Sequence, residues 1–504
     1  MKLEVLLPWM EIVESRGKLP EVIEGISYDS RQVKQGDLFF ALPGTLVDGR
    51  TFIKDAKAAG ATVAVVEEFT EDDIPQVKVK NARLALALSS AAFFNHPSKE
   101  LFVIGITATN GKTSTAFLLE SIFKKAGKSV GMIGTVKISY AETLIPSVLT
   151  TPESYDLQKI MADMVKSGVE VVIMEVSSSA QEMHRIDGTD FQVVSFHNLS
   201  EEHIDQHGSF EAYVEAKSRI IREATPRTKV FLSVDDEEIK KLSSETRGEV
   251  TTLSFTGKPA DVSLEELLVS DGRGEIRLSC SKKISELTGK GSLSLPLASP
   301  GYATAMNATT AAAIALTSGV SLSSIEEALE DFRGVERRFQ LIHDGDFRIL
   351  DDHFANPKNI DATMASLQEL EVENLYIYYA IRGNRGVNLN RDVARQFSHW
   401  IKTLKPALVV ATKSVEDVGR KDEVSAEEEA VFTEEMRSQG LDVSVVETLR
   451  EGMEQVVPRL RKGDVLLLAG CQGMDHGAQA LLRCLKSQGT MCEDLERIVA
   501  ERIC

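Results

Sequence analysis

Two hydrophobic patterns alternate along this chain: short unbroken apolar runs, and stretches in which apolar residues recur at helical spacing. Residues 101–104 (LFVI) form one run suited to a strand covered on both faces; after Lys112, Phe117, Leu118, Ile122 and Phe123 fall on one side of a helix. Further strand-like runs lie at 130–133, 169–174, 191–196 and 230–234 in the middle of the chain. Others lie at 348–350, 375–380, 407–411, 443–446 and 465–469 towards its end, and at 37–41 and 61–66 near its start. Strands separated by helical segments, including 82–94, 211–221 and 303–317, predict an α/β protein with mainly parallel sheets.

A chain of 504 residues exceeds what one core supports, at roughly 150 residues per domain. Asn95-His96-Pro97-Ser98 breaks the first long helical run, and GVERRF at 334–339 makes a basic turn before the last alternating segment. Three domains are therefore expected, at 1–98, 99–333 and 334–504, with a doubly wound sheet in the centre and a second nucleotide-binding-like sheet at the end. Residues 251–297, rich in β-branched and turn residues, read as strands at one edge of the central domain.

Composition narrows the function. A net charge of −19 argues against a nucleic-acid surface, so any phosphate must be met by local groups. No stretch approaches about 18 consecutive apolar residues, and the N-terminus carries no signal pattern. Five cysteines without metal spacing read as reduced thiols, and a cytoplasmic protein is expected.

The candidate chemistry centres on ITATNGKTS, between the 101–104 run and the following helix. Backbone N–H groups around Asn110 and Gly111, at a helix N-terminus, suit phosphates; Lys112 adds a point charge and the Thr113 hydroxyl suits Mg2+. The match to the general P-loop is imperfect, because Gly105 lies one residue too far upstream and Ala108 stands where glycine is easier; an ordinary strand–loop–helix is the plain alternative. Glu175, at the end of the 169–174 run, reads as a metal carboxylate or a solvated strand-end glutamate. His197, His203, Asp205 and His207 cluster in HNLSEEHIDQHG, a metal-ligand set or a solvated loop. Lys217 on its helix reads, by itself, as a surface charge. Asp29, Ser30 and Arg31 on one turn and Gly44, Asp48 and Gly49 on another are binding groups or ordinary loop residues.

In combination these segments resemble the Mur ligase family, and within it the branch that adds the third residue of the peptidoglycan stem peptide. DSRQVKQGDLFFALPGTLVDGRTFI resembles the family's uridine-nucleotide site, with Ser30 as a contact; TATNGKTS resembles its ATP loop, carrying Thr109, Asn110, Gly111, Lys112, Thr113 and Ser114 over to ATP. The run Thr150-Thr151-Pro152-Glu153 resembles the segment that touches the muramoyl peptide, and EVSS with the following HR carries Glu175 to Mg2+ and Ser177 and Arg185 to the substrate. NLSEEHIDQHG implies His203 as a Mg2+ ligand. AYVEAK implies Lys217 as an N-carboxylated lysine, whose carboxylate would hold the second of two Mg2+ ions. Asn307, Arg338 and Asp352 resemble the family's residues near the nucleotide, and Arg385 in RGNRG resembles one near the substrates.

The resemblance implies an N-terminal UDP-binding α/β domain, a central P-loop-type domain and a C-terminal Rossmann-like amino-acid-binding domain. It implies a monomeric ATP-dependent ligase acting on UDP-MurNAc-L-Ala-D-Glu and an amino acid, without nucleic acid or membrane insertion. The departures gather late in the chain. Thr45 replaces a common histidine and Met183 a glutamine, but Ala355 and Lys358 both alter the DDHFANPKN segment, CQGMD stands for KGHE, and no DNPR, the mark of diaminopimelate-using members, occurs. A ligase with another amine acceptor, a folate polyglutamylating relative and a non-ligating regulatory or scaffold homologue are the rival readings.

Overall fold

The computed structural model describes residues 1–44, 47–200, 207–270, 273–297, 301–332, 334–354, 356–368, 370, 372–490 and 492–502. The chain forms two compact units, the first made of Met1–Glu265, Leu278–Leu293 and Thr309–Ala328, the second of Glu266–Arg277, Ser294–Ala308 and Leu329–Cys504. Three sheets carry the α/β architecture.

The first sheet joins β1 (Ile12–Arg16), β2 (Gly25–Ser27), β3 (Asp37–Phe40), β4 (Val63–Val66) and β5 (Gln76–Val79) in the order β1-β5-β4-β3-β2. β2 to β5 are parallel and β1 is antiparallel at the edge. Helix α1 (Ile53–Ala59) stops where Gly60 turns left-handed (φ 119°), a conformation that favours glycine. Helix α2 (Ala82–Phe93) starts under the Asn81 side chain, which accepts from the Leu84 amide at 2.9 Å.

The central sheet begins with β6 (Phe102–Thr107), which feeds α3 (Lys112–Lys125). β7 (Val130–Ile133) and the antiparallel hairpin β8 (Lys137–Tyr140) and β9 (Thr143–Pro146) follow. Then come α4 (Ser154–Lys166), β10 (Val171–Glu175), α5 (Ser178–Glu182), β11 (Val193–Phe196), the helix Phe210–Arg222, β12 (Lys229–Ser233) and β13 (Glu249–Ser254). These strands lie in the order β13-β12-β11-β6-β10-β7-β8-β9. β6 pairs in parallel with β10 on one side and β11 on the other, so the loop after β6 opens where the winding reverses. Val103, Val172 and Val194 are buried with Leu157, Met161 and Ile220, each fully buried aliphatic contributing about 1.5–3 kcal/mol. Gly105 has a packing role inside β6: a Cβ there would come within 2.8 Å of Phe191 and 3.0 Å of Ile220. It is a strand residue and takes no part in the phosphate loop.

Ties between these two sheets lie inside the first unit. Tyr28 donates to Asp156, Arg83 pairs with Glu153 at 3.3 Å, and Asn81 meets His184 at 3.1 Å.

After β14 (Val262–Ser270), β15 (Arg273–Cys280) and β16 (Ser292–Leu297), the second unit builds its own sheet. Its strands β17 (Gln340–Asp344), β18 (Arg348–Asp352), β19 (Leu375–Ala380), β20 (Leu408–Thr412), β21 (Ser444–Val446) and β22 (Val465–Ala469) lie in the order β17-β18-β22-β19-β20-β21. Only β17 is antiparallel. Phe354, Tyr379, Phe397 and Phe432 form its aromatic core, Tyr379 stacking on Phe432 at 5.4 Å. β18 also carries a buried ion network: Asp351, fully buried, pairs with Arg502 and lies 3.5 Å from Arg337, which also pairs with Asp475.

The α/β class and the central and C-terminal strands match the sequence reading to within a few residues. The reading missed β1, which opens on Ile12 and Val13 but whose five residues are all exposed, together with β2, β5, β8 and β9, and the helix Lys282–Thr288 within the stretch read as strands. Among the described residues no helix is long and apolar enough to cross a membrane, and Cys280, Cys471, Cys484 and Cys492 are free thiols.

Candidate active site

The loop between β6 and α3 is shaped by one backbone angle and one clamp. Gly111 takes φ 82°, which turns the chain into α3 at Lys112 and leaves the helix N-terminus facing the loop. Asn198, just past β11, accepts from the Asn110 amide at 2.9 Å and donates to the Asn110 carbonyl at 2.7 Å. The Asn110 N–H expected to face phosphate is therefore already engaged in this structure. The Thr109 hydroxyl lies 3.1 Å from the Tyr213 hydroxyl and accepts from the Ser200 amide at 3.0 Å. Lys112 Nζ folds over the loop, donating to the carbonyls of Ala108 at 2.9 Å and Thr109 at 3.0 Å, and Ser114 is half-buried on the first turn of α3.

Glu175 closes β10 next to this loop and is fully buried. Its Oε2 accepts from the Thr113 hydroxyl at 2.8 Å and the Thr135 hydroxyl at 3.0 Å, and its Oε1 from the Thr135 amide at 2.8 Å. Gly134 lies against it: a Cβ there would come 2.4 Å from Oε1 and displace the carboxylate. The Thr151 hydroxyl donates to the Glu175 carbonyl at 2.8 Å and accepts from the Ser177 amide at 3.1 Å; Ser177 in turn caps α5 by accepting from the Ala180 amide. Thr150 Oγ1 lies 3.1 Å from Thr135 Oγ1. Arg185 pairs with Glu153 at 2.9 Å and donates to the Thr151 carbonyl at 3.4 Å.

Lys217, only 2% exposed, is not the surface charge its helix position alone suggested. Its Nζ donates to the Ala108 carbonyl at 2.7 Å and lies 4.9 Å from the Tyr213 ring. Lys112 and Lys217 thus reach the same carbonyl from two elements. His207 contacts Ser178 at 3.0 Å and Glu182 at 3.2 Å. His197 is buried at the end of β11, where burial and then the Lys112 charge push its imidazole down to about 3, so it is neutral. His203 and Asp205 lie outside the described residues, as do Thr45 and Ala355.

The first unit therefore gathers Thr109, Asn110, Gly111, Lys112, Thr113, Ser114, Thr150, Thr151, Glu175, Ser177, Arg185 and Lys217 around one set of strand ends. Ser30 lies half-buried on the turn after β2, beside Asp29, which is bound to Arg31. Oxygen donors only, a buried carboxylate and a threonine whose proton is directed to that carboxylate make a set that fits Mg2+; no group of three or more metal-ligating side chains is complete among the described residues. Sequence reasoning missed Asn198, Thr135 and Tyr213. Asn198 sits inside the quoted NLSEEH run, and its position one strand over from the loop was its only signal.

In the second unit Asp352 ends β18, accepting from the amides of Phe339 at 2.7 Å and Phe354 at 2.9 Å and from the Thr363 hydroxyl at 2.9 Å. Burial raises its carboxyl and nearby Arg338 pulls it back. Arg338 thus lies near Asp352, but the adjacent Arg337 is the buried one, donating to the carbonyls of Gly470 and Cys471. Arg385 pairs with Asp422 at 2.9 Å near the start of the next helix, and Asn307 is buried on the helix Tyr302–Thr317.

Fold and loop together define an α/β protein built around a P-loop-like strand–loop–helix at a topological switch point. Three sequence families match in turn: the Mur ligase family, catalytic domain, at residues 22–94; the Mur ligase middle domain at 106–315; and the Mur ligase, glutamate ligase domain at 337–472. The UDP-N-acetylmuramoyl-L-alanyl-D-glutamate--2,6-diaminopimelate ligase of Bacillus licheniformis is 31% identical over 93% of this chain and 94% of its own. That of Geobacillus kaustophilus is 35% identical over 73% and 75%. The chain belongs to the Mur ligase family. Among solved structures, a UDP-N-acetylmuramoyl-L-alanyl-D-glutamate--2,6-diaminopimelate ligase shares its fold at TM-score 0.70 and 20% identity, covering 97% of this chain and all of the other. A Thermotoga maritima MurF ligase in complex with ADP shares it at TM-score 0.64 and 18% identity, covering 92% and 98%.

Proposed function

We propose that this protein is an ATP-dependent ligase that joins an amino acid to UDP-MurNAc-L-Ala-D-Glu in peptidoglycan precursor synthesis. The carrying observation is the convergence of Lys112, Thr113, Glu175 and Lys217 on one set of strand ends, in a chain alignable over 93% of its length with a ligase of that donor. The γ-carboxylate of the D-glutamyl end attacks the γ-phosphorus of ATP, forming an acyl phosphate and releasing ADP. The amine then attacks the acyl carbon, expels phosphate and loses a proton to give the amide. Both oxygens that meet in the first step are negative, so charge neutralisation is the main demand on the site.

Lys112, once the carbonyls of Ala108 and Thr109 exchange it for phosphate, neutralises part of that charge. Thr113, Glu175, His203 and an N-carboxylated Lys217 are the residues that would hold two Mg2+ ions, which supply Lewis-acid neutralisation of the phosphoryl oxygens. Carboxylation adds CO2 to the neutral amine of Lys217 and releases one proton, turning a buried cation into a carboxylate. Ser30, Thr150, Thr151, Ser177 and Arg185 bind the donor, and Asn307, Arg338 and Asp352 the nucleotide. Arg385 serves the acceptor side, and the domains run 1–98, 99–333 and 334–504. On this reading the enzyme acts in the cytoplasm as a monomer.

The absence of DNPR and the presence of CQGMD favour an acceptor other than diaminopimelate. Incubation with ATP, Mg2+, UDP-MurNAc-L-Ala-D-Glu and a panel of amino acids, read by mass spectrometry and phosphate release, tests both points. A donor heavier by one amino-acid residue is the expected product; phosphate release indifferent to donor and amino acid would remove the ligase reading.

A further inference from the structure

The proton count around Glu175 carries one step more, resting on the donor proposed above. A threonine hydroxyl has one proton. Thr135 directs its proton to Glu175 Oε2 at 3.0 Å, while its amide holds Oε1 at 2.8 Å. The 3.1 Å contact between the Thr135 and Thr150 hydroxyls must then use the proton of Thr150. The chain of hydrogen bonds runs one way, Thr150 to Thr135 to Glu175, and leaves Thr150 with lone pairs only. Thr135 lies exposed and Thr150 half-exposed, within reach of a ligand, whereas Glu175 is sealed from solvent. On the other side Thr113 also directs its proton to Oε2, at 2.8 Å, so its lone pairs remain for a cation.

We propose that Thr135 is a positioning residue linking the donor segment to the cation site: Thr150 accepts from an N–H or O–H of the muramoyl dipeptide, and Thr135 transmits that occupancy to the carboxylate beside Thr113. A substrate carbonyl at Thr150 would claim the Thr150 proton and break the relay, so this position selects a donor group. Because coupling is reciprocal, the dipeptide tightens the Mg2+-nucleotide and the Mg2+-nucleotide tightens the dipeptide.

The test is a Mg2+ titration of a fluorescent ADP analogue on the full-length protein, with and without UDP-MurNAc-L-Ala-D-Glu. In the wild type the dipeptide should lower the Mg2+ concentration at half-saturation by about tenfold, within the usual range of coupling between sites. Thr135→Val should bring that ratio close to one while each ligand still binds alone, and Thr135→Ser should restore it. An unchanged ratio in Thr135→Val, loss of the ratio in Thr135→Ser, or a wild type that binds both ligands without coupling overturns the relay. A wild type that does not bind the dipeptide at all overturns the proposed donor and the relay with it.

Discussion

Two buried carboxylates near strand ends, Glu175 in the central sheet and Asp351 in the C-terminal sheet, use charge in opposite ways. Around Glu175 the carboxylate is met by hydroxyls and an amide, and the nearby cations Lys112 and Lys217 donate to main-chain carbonyls. Around Asp351 the carboxylate is met by two arginines, and a second acid, Asp475, balances the charge. Neutral donors hold a carboxylate in place while leaving it free to meet an incoming cation; guanidinium groups fill that role permanently. The first arrangement suits a site that exchanges ligands, the second a joint that keeps its shape.

The largest effect that could break this contrast is on stability. Asp351→Asn leaves Arg502 buried without a countercharge and Arg337 with Asp475 alone, and should destabilise the C-terminal unit by about 3–5 kcal/mol, read from its denaturant midpoint. A change under about 1 kcal/mol would show that the network is not a structural joint. Next, Lys217→Ala should lower ligation by about 100- to 1000-fold, and added short carboxylates should partly restore turnover. Asn198→Ala removes two hydrogen bonds of about 1 kcal/mol each from the phosphate loop and should raise KM for ATP by about tenfold. An unaltered KM would mean that nucleotide alone orders the loop.

A pH-dependent effect also separates the two regions. His353, beside Arg338, Arg337 and Arg382, is pushed down to about 3 by burial and by those charges, in that order. The unfolded chain, with its imidazole near 6.5, therefore binds the extra proton first as pH falls. Stability is fully present above about pH 6.5 and declines towards about pH 3, by up to about 1.4 kcal/mol per unit. His353→Gln should flatten that acid limb for the C-terminal unit, as followed by urea midpoints between pH 7 and pH 5.

Much of this was legible from residue order. The period of the apolar runs gave the α/β class because a doubly covered parallel strand has no polar face to write, and TATNGKTS announced its loop because strand, turn and helix are neighbours in sequence. Glu175 and Lys217 were legible only through the resemblance, since a strand-end glutamate and a helical lysine look the same wherever they point.

Tertiary structure alone decided the rest. It buried Lys217 against the Ala108 carbonyl, 109 residues away, brought Asn198 onto Asn110 from the neighbouring strand, and assigned Gly105 to packing against Phe191. It also placed the buried ion pairs on Arg337, although the motif pointed to Arg338. The physical reason is the same in each case: local spacing fixes which face of an element a side chain occupies, but only the pairing of strands distant in sequence fixes what stands opposite.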